Sequence, residues 1–259
     1  MISLIIADGI AEIVLDAPHK LNSLDERALA DLAQAYDDAA DAAARGEVRA
    51  LLLRGEGRAF CAGRDISAVT PESDDAQAYL GGLVQPLLKK MSSFPAPTFA
   101  AAHGACLGVG LGLLLATDVV YVAENAKFGS PFAKLGATLD SGGHWYFTER
   151  LGMHRTLDLI YTAELMTGAE AVAQGLFSRA MPAADLLENT RAIVAAVATG
   201  ATGAFNASKE LVAHIRDQRL GLWEAMEEEN TEQARLCKSE DYAEGFRAFQ
   251  EKRPPVFKG

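Results

Sequence analysis

Residues 98–112 read Thr-Phe-Ala-Ala-Ala-His-Gly-Ala-Cys-Leu-Gly-Val-Gly-Leu-Gly. Thr98–Ala102 is a short apolar run, the pattern of a strand buried on both faces. Leu111–Ala116 is again apolar and long enough only for a buried helix. Between them Leu107, Gly108, Val109 and Gly110 make a glycine-rich corner. The same plan stands upstream. Val48–Leu53 reads as a buried strand, Gly55-Glu-Gly57 opens a loop, and Ala62, Gly63, Arg64 and Asp65 form a second corner ahead of a helix near 79–92. Strand, corner and helix in repeated succession predict an α/β fold.

Outward from these stretches the pattern continues. Two apolar runs, 2–7 and 10–15, flank Asp8-Gly9, a hairpin signal. Ser23 and Glu26 have capping-box spacing ahead of a helix over roughly 25–44. Val119–Ala123 and the segment around Phe128 read as strands, and residues 67–78 as a polar, mobile segment. From Gly142 helical periodicity dominates, with helices near 142–151, 153–163, 169–175, 184–199, 203–217, 221–236 and 239–251. Thr199–Gly203 is the best domain boundary.

Composition narrows the function. With 259 residues, 49% hydrophobic and 23% charged, the chain supports a full core. A formal charge of −11 argues against nucleic acid and anionic membranes as partners. Cys61, Cys106 and Cys237 have no metal-ligand spacing and fit buried thiols in a reducing compartment. The first residues lack a basic leader pattern, and the longest apolar run is too short for a bilayer, so the expected location is cytoplasmic.

Each glycine corner has two readings. Glycine permits tight turns and close approach, and a helix start leaves N–H groups without partners. Two such corners can hold one carbonyl oxygen between two donors, the geometry of an oxyanion hole. Gly108, Gly110 and Gly112 also fit plain helix packing. Leu113 stands where a dinucleotide fingerprint needs glycine, and Gly129-Ser-Pro-Phe132 is not a nucleophile elbow.

Three motifs in order are more specific: GRAFCAGRDI at 57–66, the stretch Pro95–Gly112, and FGSPFAKLG with DSGG at 128–143. With Pro18–Asn22 near the start and Asp241–Arg253 at the end, the chain resembles the enoyl-CoA hydratase/isomerase (crotonase) family over nearly its whole length. The nearest resemblance is to ring-epoxide isomerases acting on phenylacetyl-CoA and to Δ3-Δ2-enoyl-CoA isomerases. It implies a crotonase-like spiral of ββα repeats over 1–199, bearing the acyl-CoA site. It also implies a C-terminal helical region, 200–259, that assembles trimers, often paired into hexamers. The substrate carries coenzyme A, and no further cofactor or metal is implied.

By that resemblance the oxyanion donors are the N–H groups of Arg64 and Val109. Lys20, Leu21, Asn22, Ala62, Gly63, Asp65, Ile66, Leu107, Gly108, Phe132, Leu135 and Leu139 would line the acyl-CoA path. Lys20 and Arg64 are either phosphate contacts or solvated surface charges. Asp65 fits a loop hydrogen bond. The hydratases' two water-activating glutamates fall at Gly112 and Phe132, so neither carboxylate is present. The isomerases' acid falls at Asp140.

Asp140 is read as catalytic, with an N-cap for the following helix as the plain alternative. One carboxylate can take a proton from C2 of an enolised thioester and return it to C4. Leu139 and Phe132 would desolvate Asp140 and raise its pKa, while a helix N-terminus would oppose the rise. His144 has the spacing to meet Asp140, but a lining histidine is the simpler reading. A hydratase or hydrolase using Asp140 and water, an aryl-CoA dehalogenase, and a non-catalytic acyl-CoA binder are the competing functions.

Overall fold

The computed structural model describes residues 1–67 and 69–259. Strands β1 (Ile2–Ala7) and β2 (Ile10–Leu15) form the expected hairpin. Its turn residues Asp8 and Gly9 both have positive φ, 51° and 77°, which gives the twist that antiparallel neighbours need. Helix α1 (Glu26–Ala44) follows, and its cap differs from the sequence reading. Asp25, not Ser23, is the N-cap, and its carboxylate accepts the Ala28 N–H at 2.8 Å. Extended backbone at Asp25 puts the side chain over the open end of the helix.

Strand β3 (Ala50–Gly55) starts two residues later than its apolar run, and β4 (Thr98–Ala102) falls on its run. Between them lie a π-helical turn, Ala78–Val84, and α2 (Gln85–Ser92). Next come β5 (Ala105–Leu107), α3 (Val109–Leu115), β6 (Val119–Ala123) and β7 (Lys127–Gly129). Helices α4 (Gly143–Leu151) and α5 (Met153–Thr162) precede β8 (Met166–Thr167), α6 (Gly168–Ala173), β9 (Arg179–Met181) and α7 (Leu186–Ala198). Strands β5, β8 and β9 were not legible in the sequence. Each has only two or three residues, too few to show alternation.

The strands fall into two sheets. The larger has the order β1-β2-β3-β4-β6-β9 and is parallel except at the hairpin. The smaller has the order β5-β7-β8, and a main-chain β-bridge joins Cys61, a free thiol, to Cys106 at its edge. The chain therefore visits one sheet, then the other, then a helix, and repeats. β3, the Cys61 bridge and α2 make one turn of this spiral. β4, β5 and α3 make the next, and β6, β7 and α4 the third. The repeated strand-corner-helix plan becomes a stack, and each corner sits beside the same corner of the adjacent turn.

The core lies between the larger sheet and its helices. Leu51, Leu52 and Leu53 of β3 are fully buried, as are Leu29, Leu32 and Tyr36 of α1. Cys61 and Cys106 are buried as expected; Cys237 is exposed, a correction to the buried-thiol reading. Helices α8 (Thr202–Gln218), α9 (Leu222–Leu236) and α10 (Glu240–Glu251) complete the chain. Arg49, just before β3, ties this tail to the core by donating to Thr202 Oγ1 at 3.1 Å, Gly200 O at 2.5 Å and Phe257 O at 3.2 Å. Among the described residues no helix is long and apolar enough to cross a membrane.

Candidate active site

The two glycine corners lie against each other. Gly63 (φ 100°) and Gly108 (φ 52°) both hold left-handed backbone. A Cβ built on Gly63 would stand 2.9 Å from the Leu107 carbonyl oxygen and 3.7 Å from Gly108 Cα. Only glycine lets the two turns approach this closely. The other glycines of the motif serve packing. A Cβ on Gly110 would fall 2.5 Å from the Cys61 carbonyl oxygen and one on Gly112 2.4 Å from Ser141 Cβ. The ligand-corner and packing readings of this stretch thus apply to different glycines.

Among the described residues, Arg64 N in the first corner and Val109 N and Gly110 N in the second have no protein acceptor. Leu24 N donates to Gly63 O at 2.8 Å and Asp65 N to Leu24 O at 2.9 Å, a parallel bridge centred on Arg64. In such a bridge the central residue turns its own N–H to the opposite side. Val109 is the first residue of α3, where an amide has no intrahelical partner. Among the described residues neither amide donates to the protein.

Asp140 is half-buried, and its Oδ1 accepts the Ser141 hydroxyl at 2.8 Å. Burial pushes its carboxyl above the usual carboxylate range, against the opposing pull of Ser141, the Arg64 guanidinium and His144. The carboxylate does not cap α4. That N-cap is Gly142, with no side-chain hydrogen bond, and only the Asp140 main-chain oxygen is used, by Gly143 N at 2.8 Å. The N-cap alternative is therefore corrected. His144 is exposed and meets Thr138 Oγ1 at 3.3 Å, so the structure contains no Asp140–His144 hydrogen bond.

The remaining predicted residues fall into groups. Ala62, Leu107 and Leu21 are partly open beside the corners, with Leu21 O accepting Ala62 N at 2.9 Å. Phe132 covers the second corner, its ring 3.0 Å from where a Gly108 Cβ would be. Leu139 is buried against Gly143, whereas Ile66 and Leu135 are exposed.

Asn22 is fully employed elsewhere. Its Oδ1 accepts Ala17 N at 2.8 Å, and its Nδ2 faces the carbonyls of Glu56, Ala59 and Phe60 at 2.8–3.1 Å. Its side chain braces the loop around the site, which leaves only its main chain to face a ligand. Lys20 lies 3.1 Å from Asp25 and 3.0 Å from Asp65. Asp65 also accepts the Ser67 N–H and hydroxyl, the expected loop bond, and these with Lys20 hold its carboxyl down at about 2.

Arg64 sends its guanidinium to Asp74, at 2.6 Å and 3.0 Å, and over the Tyr79 ring, 4.1 Å from the centroid. The segment expected to be mobile is thus pinned at Asp74; its Ala68 lies outside the described residues. Beyond Asp140 a cavity of about 460 Å³ is lined by Leu80, Val84, Leu88, Gly112, Ser141 and Tyr146. Tyr146 stands on this wall; Trp145 and Phe132 do not. Ser141 and the 77–92 helical wall were missed by sequence reasoning. The wall's signal was the helix expected near 79–92, and that of Ser141 was its place in the DSGG motif.

A family model described as enoyl-CoA hydratase/isomerase matches residues 6–259. A protein of Rhodobacter capsulatus named as a probable enoyl-CoA hydratase is 37% identical over 254 residues, covering 98% of this chain and 96% of that protein. The 1,2-epoxyphenylacetyl-CoA isomerase of Escherichia coli K12 is 29% identical, with 97% and 95% covered. The crystal structure of an enoyl-CoA hydratase from Bacillus anthracis superposes with a TM-score of 0.90 at 27% identity, covering 100% of this chain and 99% of that one.

Proposed function

Because this chain belongs to the enoyl-CoA hydratase/isomerase family, we propose that it is an acyl-CoA isomerase, with Asp140 moving the proton of a thioester enolate. The observation that carries this reading is the half-buried carboxylate of Asp140, hydrogen-bonded to the Ser141 hydroxyl whose residue packs on Gly112, while Gly112 and Phe132, where the hydratases' acids fall by resemblance, carry no carboxylate. Addition of water by a pair of carboxylates has no second partner here.

In this reading the thioester oxygen sits between the N–H groups of Arg64 and Val109. Charge developing on that oxygen is stabilised there, which makes the α-proton removable. Asp140 takes the proton from C2 and returns it to C4, shifting the double bond; the same shuttle serves opening of a ring epoxide. The acyl chain extends into the cavity beyond Ser141. Lys20, Ala62, Asp65, Ile66 and the main chain of Leu21 and Asn22 form the coenzyme A path, with Leu107, Gly108, Phe132, Leu135 and Leu139 nearer the acyl group. For Lys20 and Arg64 to reach phosphate, the anion must compete with Asp25, Asp65 and Asp74.

Hydration by Asp140 and one water is the second reading, favoured by the name of the 37% identical relative. The two separate in heavy water. Given a 3-enoyl-CoA, the isomerase moves the double bond and incorporates deuterium. Given a 2-enoyl-CoA, the hydratase forms a 3-hydroxyacyl-CoA without migration. Tight coenzyme A binding with neither reaction would leave a non-catalytic binder. We further propose assembly through the tail, supported by the exposed apolar side chains Trp223, Leu222, Phe246 and Phe249.

A further inference from the structure

Ser141 holds left-handed backbone, φ 53°, a conformation that is costly for a residue with a Cβ. Something must hold it there. Its Cβ rests on α3 at Gly112: a Cβ at Gly112 would lie 2.4 Å from Ser141 Cβ and 3.2 Å from both its Oγ and its carbonyl oxygen. On the other side of the loop, Leu139 packs where a Gly143 Cβ would be, at 2.7 Å. The loop is therefore fixed on both flanks. From this seat the Ser141 hydroxyl donates to Asp140 Oδ1 at 2.8 Å.

Gly112 lies three residues along α3 from Val109, a rise of about 4.5 Å. A single helical turn thus connects an amide donor to the seat of the carboxylate. We infer that Ser141 is a positioning residue seated on Gly112, and that this contact sets where the Asp140 carboxylate stands relative to the Val109 amide. The inference rests on the reading of Asp140 as proton shuttle. Because Ser141 occupies Oδ1, Oδ2 is the oxygen that exchanges the proton. A side chain at position 112 displaces the seat, so an acid placed there competes with Asp140 for position rather than adding to it.

A double-mutant cycle tests the seat, with deuterium exchange into a 3-enoyl-CoA as the readout. Gly112→Ala should lower kcat by about tenfold or more, since small displacements of a catalytic group are costly. Its Kd for coenzyme A should stay at the wild-type value, which also reports an intact fold. Ser141→Gly makes room for the added methyl, so Ser141→Gly and the double variant should agree within about twofold. Ser141→Ala keeps the Cβ and loses the hydroxyl. It should move the acid limb of the kcat–pH profile to higher pH without changing KM.

An equal penalty for Gly112→Ala in both backgrounds, or a Ser141→Ala profile that overlays the wild type, would overturn the inference. Asp140→Asn is run alongside. Lost exchange in that variant together with equal Gly112→Ala penalties removes the seat alone. Retained turnover removes both the shuttle and the seat built for it.

Discussion

At the residue scale, Asp140 combines two conditions that pull in opposite directions. Burial favours its neutral form, whereas Ser141, Arg64 and His144 favour the anion, and burial wins. A carboxyl with a raised folded-state pKa supports folding fully below its unfolded pKa, and that support is lost as pH rises through the folded value. Above its unfolded pKa Asp140 is therefore a local liability. Asp140→Asn should melt at a higher temperature than the wild type near neutral pH. In acid the gap should close, and differential scanning calorimetry across pH checks this. The same shift makes the exchange rate fall as pH drops through the raised pKa of Asp140, because the base must be ionised.

Asn22 and Asp65 act differently, as braces. Asn22→Ala strands the Ala17 N–H and three carbonyl partners, and should cost about 2–4 kcal/mol in urea unfolding. Asp65 is held down at about 2, so its contribution is present above the ordinary carboxylate range and is lost as pH falls toward that value. The sequence showed which residues were unusual here but not what each one does. Asn22 looked like a ligand contact because its motif is near the site. Its four polar partners come from positions 17 and 56–60, contacts that spacing does not reveal.

At the element scale, long periodic segments were legible and short ones were not. The three tail helices fall within a residue or two of their expected limits, because three or more turns of amphipathic pattern mark them. The cap of α1 was misread because both Ser23 and Asp25 suit an N-terminus; only backbone direction separates them. Asp25→Ala should cost about 1 kcal/mol in chemical unfolding. Ser23→Ala should cost less than about 0.5 kcal/mol, since the Ser23 side chain is not the cap. The π-helical turn Ala78–Val84 also left no sequence signature, yet it places Tyr79 under Arg64. Its extra residue per turn is a matter of tertiary packing rather than local preference.

At the scale of the whole molecule, the spiral explains why two corners forty-five residues apart in sequence come together. Each turn adds a strand to the larger sheet and a strand or, at Cys61, a single bridge to the smaller one, so Gly63 and Gly108 become neighbours by stacking. The repeated plan was visible in the sequence as strand, glycine corner and helix; the split into two sheets was not, because β5 and β7 have three residues each. The tail leaves Phe249 84% exposed and Trp223 71% exposed, which is costly for a free monomer. Light scattering should give a trimer or a multiple of one. Trp223→Asp with Phe249→Asp should shift it toward monomer.

The proposed chemistry turns on two main-chain amides sharing one oxygen. The direct measurement is a crystal structure with a bound, non-hydrolysable acyl-CoA thioester analogue. Its carbonyl oxygen should lie about 2.7–3.1 Å from both Arg64 N and Val109 N, with Asp140 Oδ2 facing the α-carbon. An oxygen bound elsewhere, with those two amides directed apart, would contradict this chemistry.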